Sequence, residues 1–328
     1  MRAFAAAYPE LIAVIAAAIL GLTVQRPLAW LAGHQGINVL LAILVFATAV
    51  TIDPAALRRM LGAWRSLLIA LVVGITVLPA LSWAVSRIVA AGSLRDGVLV
   101  VGLAPCEIAS VATTAMAGGA AAVSAGVLIG STVAAVALAG PILTLEAGHA
   151  GISPGSIIAN LALVVALPLA LGLAARASAE APAQAPKPAR LLATARILAT
   201  PRAERIASRT SLAAVAALVA LIASEVHLAA AYLAVAAALL LFLVGSALIG
   251  RALGARTARP TATALLLTTS MRDFAIAAGL AAAAFGPAAA APLGLYGIAV
   301  LIWGTAVAGV LRQRTPEPRQ ENSNSTPI

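Results

Sequence analysis

The sequence predicts an all-α integral membrane protein: ten transmembrane helices, set out as two inverted five-helix repeats in which helices 4 and 9 are broken. Three observations predict it. The first is composition. Of 328 residues, 62% are hydrophobic and 10% charged, with a mean hydropathy of +1.05. A soluble domain is roughly half apolar and about a quarter charged, so this chain cannot cover itself with polar surface and lipid is its natural solvent. The second is the placement of Lys and Arg between apolar segments. The third is the confinement of buried charge to two of those segments.

A membrane helix needs about 20 apolar residues. Ten segments qualify, at about 8–24, 36–52, 66–88, 94–117, 120–145, 154–175, 210–226, 228–250, 261–285 and 288–311. The first resembles a signal peptide, but so many similar segments follow that it reads as a span. It and the second are short, so they tilt or thin the bilayer locally. The fourth and fifth are parted only by Gly118-Gly119, the seventh and eighth by Glu225 to His227. Between the sixth and seventh lies a cytoplasmic linker, 177–209. Its first half is Ala/Pro-rich and extended. Its second half, Arg190 to Ile206, is either plain solvated chain or a basic amphipathic helix on the inner leaflet. The tail, 312–328, has the composition of disordered chain.

With ten spans both termini share a side. Placing that side in the cytoplasm puts about 17 Lys and Arg in inner loops and leaves only Arg26, Arg87 and Arg95 outside. That is the positive-inside pattern, and shifting the count by one span would spoil it. It also accounts for the net charge of +10 without nucleic acid. The expected location is the cytoplasmic (inner) membrane.

Charge inside a span is costly and marks a site. Three such residues occur: Glu107, Arg272 and Asp273. In the fourth span, Pro105 breaks the helix. One half-helix then ends near Gly102 and another starts near Pro105, with Glu107 in its positive first turn. In the ninth, Ser270-x-x-Asp273 ahead of an apolar run matches a capping box, which implies a second break. The two broken spans lie five apart, so the halves are inverted: repeat one covers about 8–145 and repeat two about 154–311. Paired broken helices in inverted repeats are the pattern of a secondary transporter with its site near the midplane.

The stretch "GLAPCEIASVATTAMAGGAAAVSAGVLIGSTVAAVALAGP" (102–141) resembles the fourth and fifth spans of the bile acid:sodium symporter family. The shared features are Gly and Pro ahead of the break, Ala-Ser after it, a Gly in the following turn and a Ser-Thr pair in the next span. The ninth span, with Met271 and an Ala-rich second half, fits the same family; its Phe274 and "FG" ending also resemble the related arsenite efflux permeases. The resemblance implies a panel and a core domain, crossed broken helices, and sodium-coupled uptake of organic anions. It implies that Ser110, Thr114, Ser131 and Thr132 help to hold one cation. This chain departs from the family at Val111, where an Asn is expected. It departs again at Thr268, where a Glu is expected, and at Arg272-Asp273, where the family has Gln-Asn. A guanidinium repels sodium and argues against strict two-sodium coupling.

These readings give the expected site. Glu107, Ser110, Thr268, Thr269, Ser270, Arg272 and Asp273 are the candidate substrate contacts. Arg272 is either a structural partner of Asp273 or Glu107, or an anion contact that replaces a coupling cation. Glu107 is a candidate proton carrier, and Asp273 a cap or a ligand. No resident cofactor is expected; the coupling ion is Na+ or H+. The expected partners are a small anionic substrate and the bilayer, with the protein a monomer or weak homodimer. Cys106 opens an alternative, a metalloid efflux permease in which a soft thiolate binds the cargo; a small buried cysteine is the bland reading. A membrane receptor or scaffold of the same fold is a third. Gly126 and Gly130 read as a helix-packing step. His34, His149 and His227 read as scattered loop residues, and no phosphate-binding loop or nucleophile motif points to an enzyme.

Overall fold

The computed structural model describes residues 9–51, 63–147, 153–180, 200–226 and 230–313. Among these there is no strand; the chain is helix joined by short turns. α1 spans Pro9–Thr23, α2 Gln25–Leu31 and α3 Ile37–Ala49. α4 is Trp64–Ser86. α5 (Ser93–Val100) runs into a single 3-10 turn, Val101–Leu103, and stops; α6 begins at Ala109 and ends at Met116. α7 is Ala121–Ala147. α8 (Pro154–Leu161) and α9 (Leu167–Glu180) are continuous through a π turn. α10 (Pro201–Ser224) and α11 (Ala231–Gly254) follow. α12 (Arg259–Ser270) and α13 (Phe274–Phe285) are the halves of the second interrupted segment, and α14 (Ala291–Gln313) closes the chain.

Seven stretches are long and apolar enough to cross a membrane: Gln25–Ala49, Trp64–Ser86, Ala121–Glu146, Pro154–Ala177, Arg205–Ser224, Ala231–Gly254 and Pro287–Gln313. The protein is a multi-pass membrane protein. Its outer surface carries large apolar side chains such as Leu145, Leu233 and Trp30, which lipid solvates as well as a core would. The interior is built of Ala, Val, Leu and Gly, so helices approach closely. The Gly126–Gly130 step shows this: a Cβ on Gly130 would press on the Leu71 side chain of α4.

Two boundaries differ from expectation. The loop expected at 25–35 is mostly helix, because Pro27 lies in the first turn of α2, where a missing N–H breaks no helical bond. The break falls later, at His34 and Gln35, with Gln35 at φ 66°. His34 is therefore no free loop residue; its ring stacks on Trp30 and its Nδ1 lies 2.7 Å from the Trp30 carbonyl. The linker expected at 177–209 is shorter, since α9 extends to Glu180 and α10 starts at Pro201. Thr200 caps α10 by accepting from the Ala203 N–H at 3.2 Å, a start signal embedded in what read as linker. The rest of that linker, the tail after Gln313, His149 and His227 lie outside the described residues.

The helices pack in two groups. In one, α10 lies against α1 and α3, and α9 against α3. In the other, α4 packs on α5, α7 and α11, while α11 packs on α12, α6 on α7 and α13 on α14. Both interruptions sit in the second group.

Candidate functional site

At membrane depth, backbone that leaves the helix must find partners inside the protein. Both interruptions are buried, and they find those partners largely in each other. Cys106 and Arg272 form an isolated antiparallel β-bridge. The Glu107 N–H donates to Met271 O at 2.8 Å, and the Asp273 N–H donates to Pro105 O at 2.9 Å. Several other groups are met by side chains. The Cys106 N–H donates to Ser131 Oγ of α7 at 3.0 Å. The Arg272 N–H donates to the hydroxyl of Tyr296 of α14 at 3.2 Å, and that hydroxyl donates to Ser270 O at 3.3 Å. The Arg272 guanidinium, through Nη2, donates to Ala104 O. Four helices thus hold one crossing.

The crossing has no room for a thicker backbone. A Cβ on Gly102 would run into Leu78 O and Ser82 Oγ of α4, so only glycine lets the first break lie this close. Gly118, at φ 70°, makes the turn from α6 into α7, as the Gly-Gly pair predicts.

Three charged side chains gather here. Glu107 is 7% exposed, Arg272 4% and Asp273 1%. Glu107 precedes α6 by two residues instead of lying in its first turn, because Pro105 is followed by extended chain that pairs with the second break. It stands just ahead of the N-terminus of α6, where a negative charge is favoured. Its Oε2 has no partner. Asp273 caps α13, with Oδ1 accepting from the Ile276 N–H at 2.8 Å and Oδ2 unpartnered. The capping box is corrected in one respect: Ser270 ends α12 and does not cap α13. Its Oγ donates to Leu266 O at 2.8 Å and accepts from Trp303 Nε1 at 3.0 Å. Arg272 bonds to a carbonyl and not to Asp273 or Glu107, so of its two readings the structural ion pair does not form, and its Nε has no partner.

The remaining candidates divide. Cys106 is buried, with Sγ 2.9 Å from Ser110 Oγ. From Ser110 a line of hydroxyls runs to Ser124 (3.4 Å), which accepts from Thr114 Oγ1 at 3.3 Å. Ser124 was not foreseen, although its i, i+7 spacing from Ser131 puts both on one face of α7. Thr132 is turned away, donating to Leu128 O of its own helix at 2.7 Å. Thr268 likewise donates to Ala264 O at 2.8 Å, and Thr269 packs beside Gly250 of α11. Neither joins the crossing. Tyr296 was missed as well; a hydroxyl in an otherwise apolar span was the only signal. The single thiol meets one hydroxyl and one carbonyl and otherwise packs among aliphatic side chains such as Ala70, Val127, Leu128 and Leu265, the surroundings of a small buried cysteine.

The pattern of the Sodium Bile acid symporter family matches residues 38–236, more than half of the chain. The chain belongs to the sodium bile acid symporter family. The family is one of membrane transporters, not enzymes. The match includes the first break and the hydroxyl line, and it ends before the second break. No curated protein matches the chain. This family member therefore carries Arg272 and Asp273 in the part of the chain beyond the matched region.

Proposed function

We propose that the protein is a ten-helix secondary transporter of a small organic anion, working by alternating access around the crossing. The observation that carries this reading is a buried guanidinium at the meeting of two broken helices. Guanidinium matches carboxylate with two parallel bonds. The inverted repeat is supported by the packing. Exchanging the first five spans for the last five turns the α1–α10 contact into α9–α3, α4–α5 into α11–α12, and α6–α7 into α13–α14.

In this reading α1, the α5–α6 pair and the α12–α13 pair each cross the bilayer, which completes ten. Both termini lie in the cytoplasm, and one chain supplies the whole site. Arg272 is a fixed positive charge on an unwound carbonyl, a place a coupling cation would otherwise take. Glu107 then carries a coupling proton. A second reading, sodium coupling, is favoured by the line of hydroxyls at Ser110, Ser124 and Thr114 and by the family itself.

Uptake of labelled small organic anions into proteoliposomes, with sodium and pH gradients imposed separately, tests both. A response to the pH gradient with little response to sodium is expected. The transporter reading falls if no such anion enters under either gradient.

A further inference from the structure

We infer that the structure is the state closed on the outer side, and that the inner side closes when the Ala112–Met116 face of α6 docks on α10 around Val215. This rests on the transporter reading above and names the contact through which the protein alternates. The two repeats match residue by residue, so one half can be compared with the other. Cys106 and Arg272 occupy matching places in the two breaks and are bridged to each other. The N–H of each is met by a hydroxyl from the next long helix, Ser131 of α7 for Cys106 and Tyr296 of α14 for Arg272. The match continues away from the crossing. A Cβ on Gly21 of α1 would meet Ala220 O and the Ala223 Cβ of α10. A Cβ on Gly172 of α9 would meet Phe46 O and the Ala49 Cβ of α3. Phe46 therefore corresponds to Ala220, and Ala49 to Ala223.

Where matched elements pack differently, the difference records a conformation. The second half-helices, α6 and α13, are such a pair. α13 packs on α3, α8 and α10, across the boundary between the two helix groups. Its Ala278 and Ala281 are 0% exposed. At that contact Gly279 faces Asn38 and Leu41 of α3, and Leu41 is buried. α6 instead packs chiefly on α7, α12 and α14, all in its own group. Ala112 and Ala115, the matches of Ala278 and Ala281, are exposed, and Met116 is 57% exposed. Val215 of α10, the match of Leu41, is only half-buried. Lipid does not account for this, because a face turned to lipid in one repeat would be turned to lipid in the other. The lipid-facing positions also carry large side chains such as Leu233, whereas Ala112 and Ala115 suit close helix contact. In the proposed topology α13 runs towards the outer surface and α6 towards the inner one. Repeating the outer contact in the other half sets Thr113, the match of Gly279, against Val215. The Thr113 hydroxyl already donates to Ala109 O of its own helix at 2.8 Å, so covering it strands no polar group. α13 then leaves α3 as α6 meets α10, two packings of one chain.

Two cysteine pairs test this in the full-length protein: Leu41→Cys with Gly279→Cys at the outer contact, and Thr113→Cys with Val215→Cys at the inner one. Shortening Leu41 makes room for a side chain at 279, and Cys is close in size to Thr and Val. Cys106 is fully buried and stays in place. Proteoliposomes are oxidised with copper phenanthroline, and anion uptake is measured before oxidation, after it, and after reduction. The outer pair is expected to bridge at least tenfold faster than the inner pair in resting protein. Either bridge should cut uptake at least tenfold, and reductant should restore it. Met116→Cys alone should react with a membrane-impermeant maleimide from the cytoplasmic face, a readout that needs neither pair. The inference is overturned if the inner pair bridges as fast as the outer, if it bridges under no gradient, or if Met116→Cys is unreactive from the cytoplasmic face. A slow, reducible inner bridge in a protein that moves no anion would uphold the contact and remove the transporter reading. Wild-type uptake through either bridged protein would do the reverse.

Discussion

At the first break, Pro105 and two extended residues stop the chain, and α6 restarts with no cap from its own N-cap residue. At the second break there is no proline; α12 ends at Ser270 and α13 restarts on a conventional Asp273 cap. The first break is written into the chain by a residue that cannot continue a helix. The second is written by charge, and its geometry is completed from outside by Tyr296 and by the first break's own carbonyl at Pro105. Glu107 links them, since its N–H donates to Met271 O of the second break. The two breaks are thus similar in the main chain and unlike in how the sequence marks them: one by a proline, the other by charge.

That contrast is open to direct challenge. The largest expected effect separates the charges. Arg272→Gln should lower anion uptake at least tenfold under every gradient, while the protein still elutes as a folded species with unchanged helicity. Glu107→Gln should keep anion binding but flatten the pH dependence of uptake. Equal behaviour of the two variants would erase the distinction drawn here. Next comes Tyr296→Phe, which leaves Arg272 N–H and Ser270 O without a partner; about 1–3 kcal/mol of stability should be lost in detergent unfolding. An unchanged melting temperature would mean the second break does not depend on α14. Asp273→Ala should cost about 1 kcal/mol through the lost cap, with Asp273→Asn close to wild type because Asn caps as well. The smallest effect is expected for Pro105→Ala. The cross-bonds and Gly102 packing already hold the chain out of the helix, so a change below about 0.5 kcal/mol is expected. A large change would show that proline, and not the pairing, makes the first break.

Much of the crossing was legible in the sequence because its signals are local. A proline, an acid and an Arg-Asp pair inside apolar runs need no tertiary knowledge to stand out, and they located both breaks within a few residues. What pairs with them was not legible. Tyr296 and Ser124 reach the site from other helices, and each looks ordinary within its own apolar stretch. The same limit misplaced Thr268 and Thr269: their hydroxyls satisfy their own helix or face α11, which spacing alone does not decide. It also misassigned Ser270, whose offset from Asp273 fits a capping box but whose backbone is still helical. The Arg272 ion pair failed for a geometric reason. The chain is extended through 271–273, so neighbouring side chains leave on opposite sides, Arg272 towards Ala104 O and Asp273 onto the start of α13.

The Cys106–Arg272 bridge also fixes how much chain each break contains. Successive residues in paired strands face opposite sides, so adding or removing one residue at either break would not merely lengthen a loop. It would move Arg272 out of register with Cys106 and turn its side chain to the other face, away from Ala104 O. A length change in one break therefore requires a matching change in the other, 166 residues away at the bridged pair.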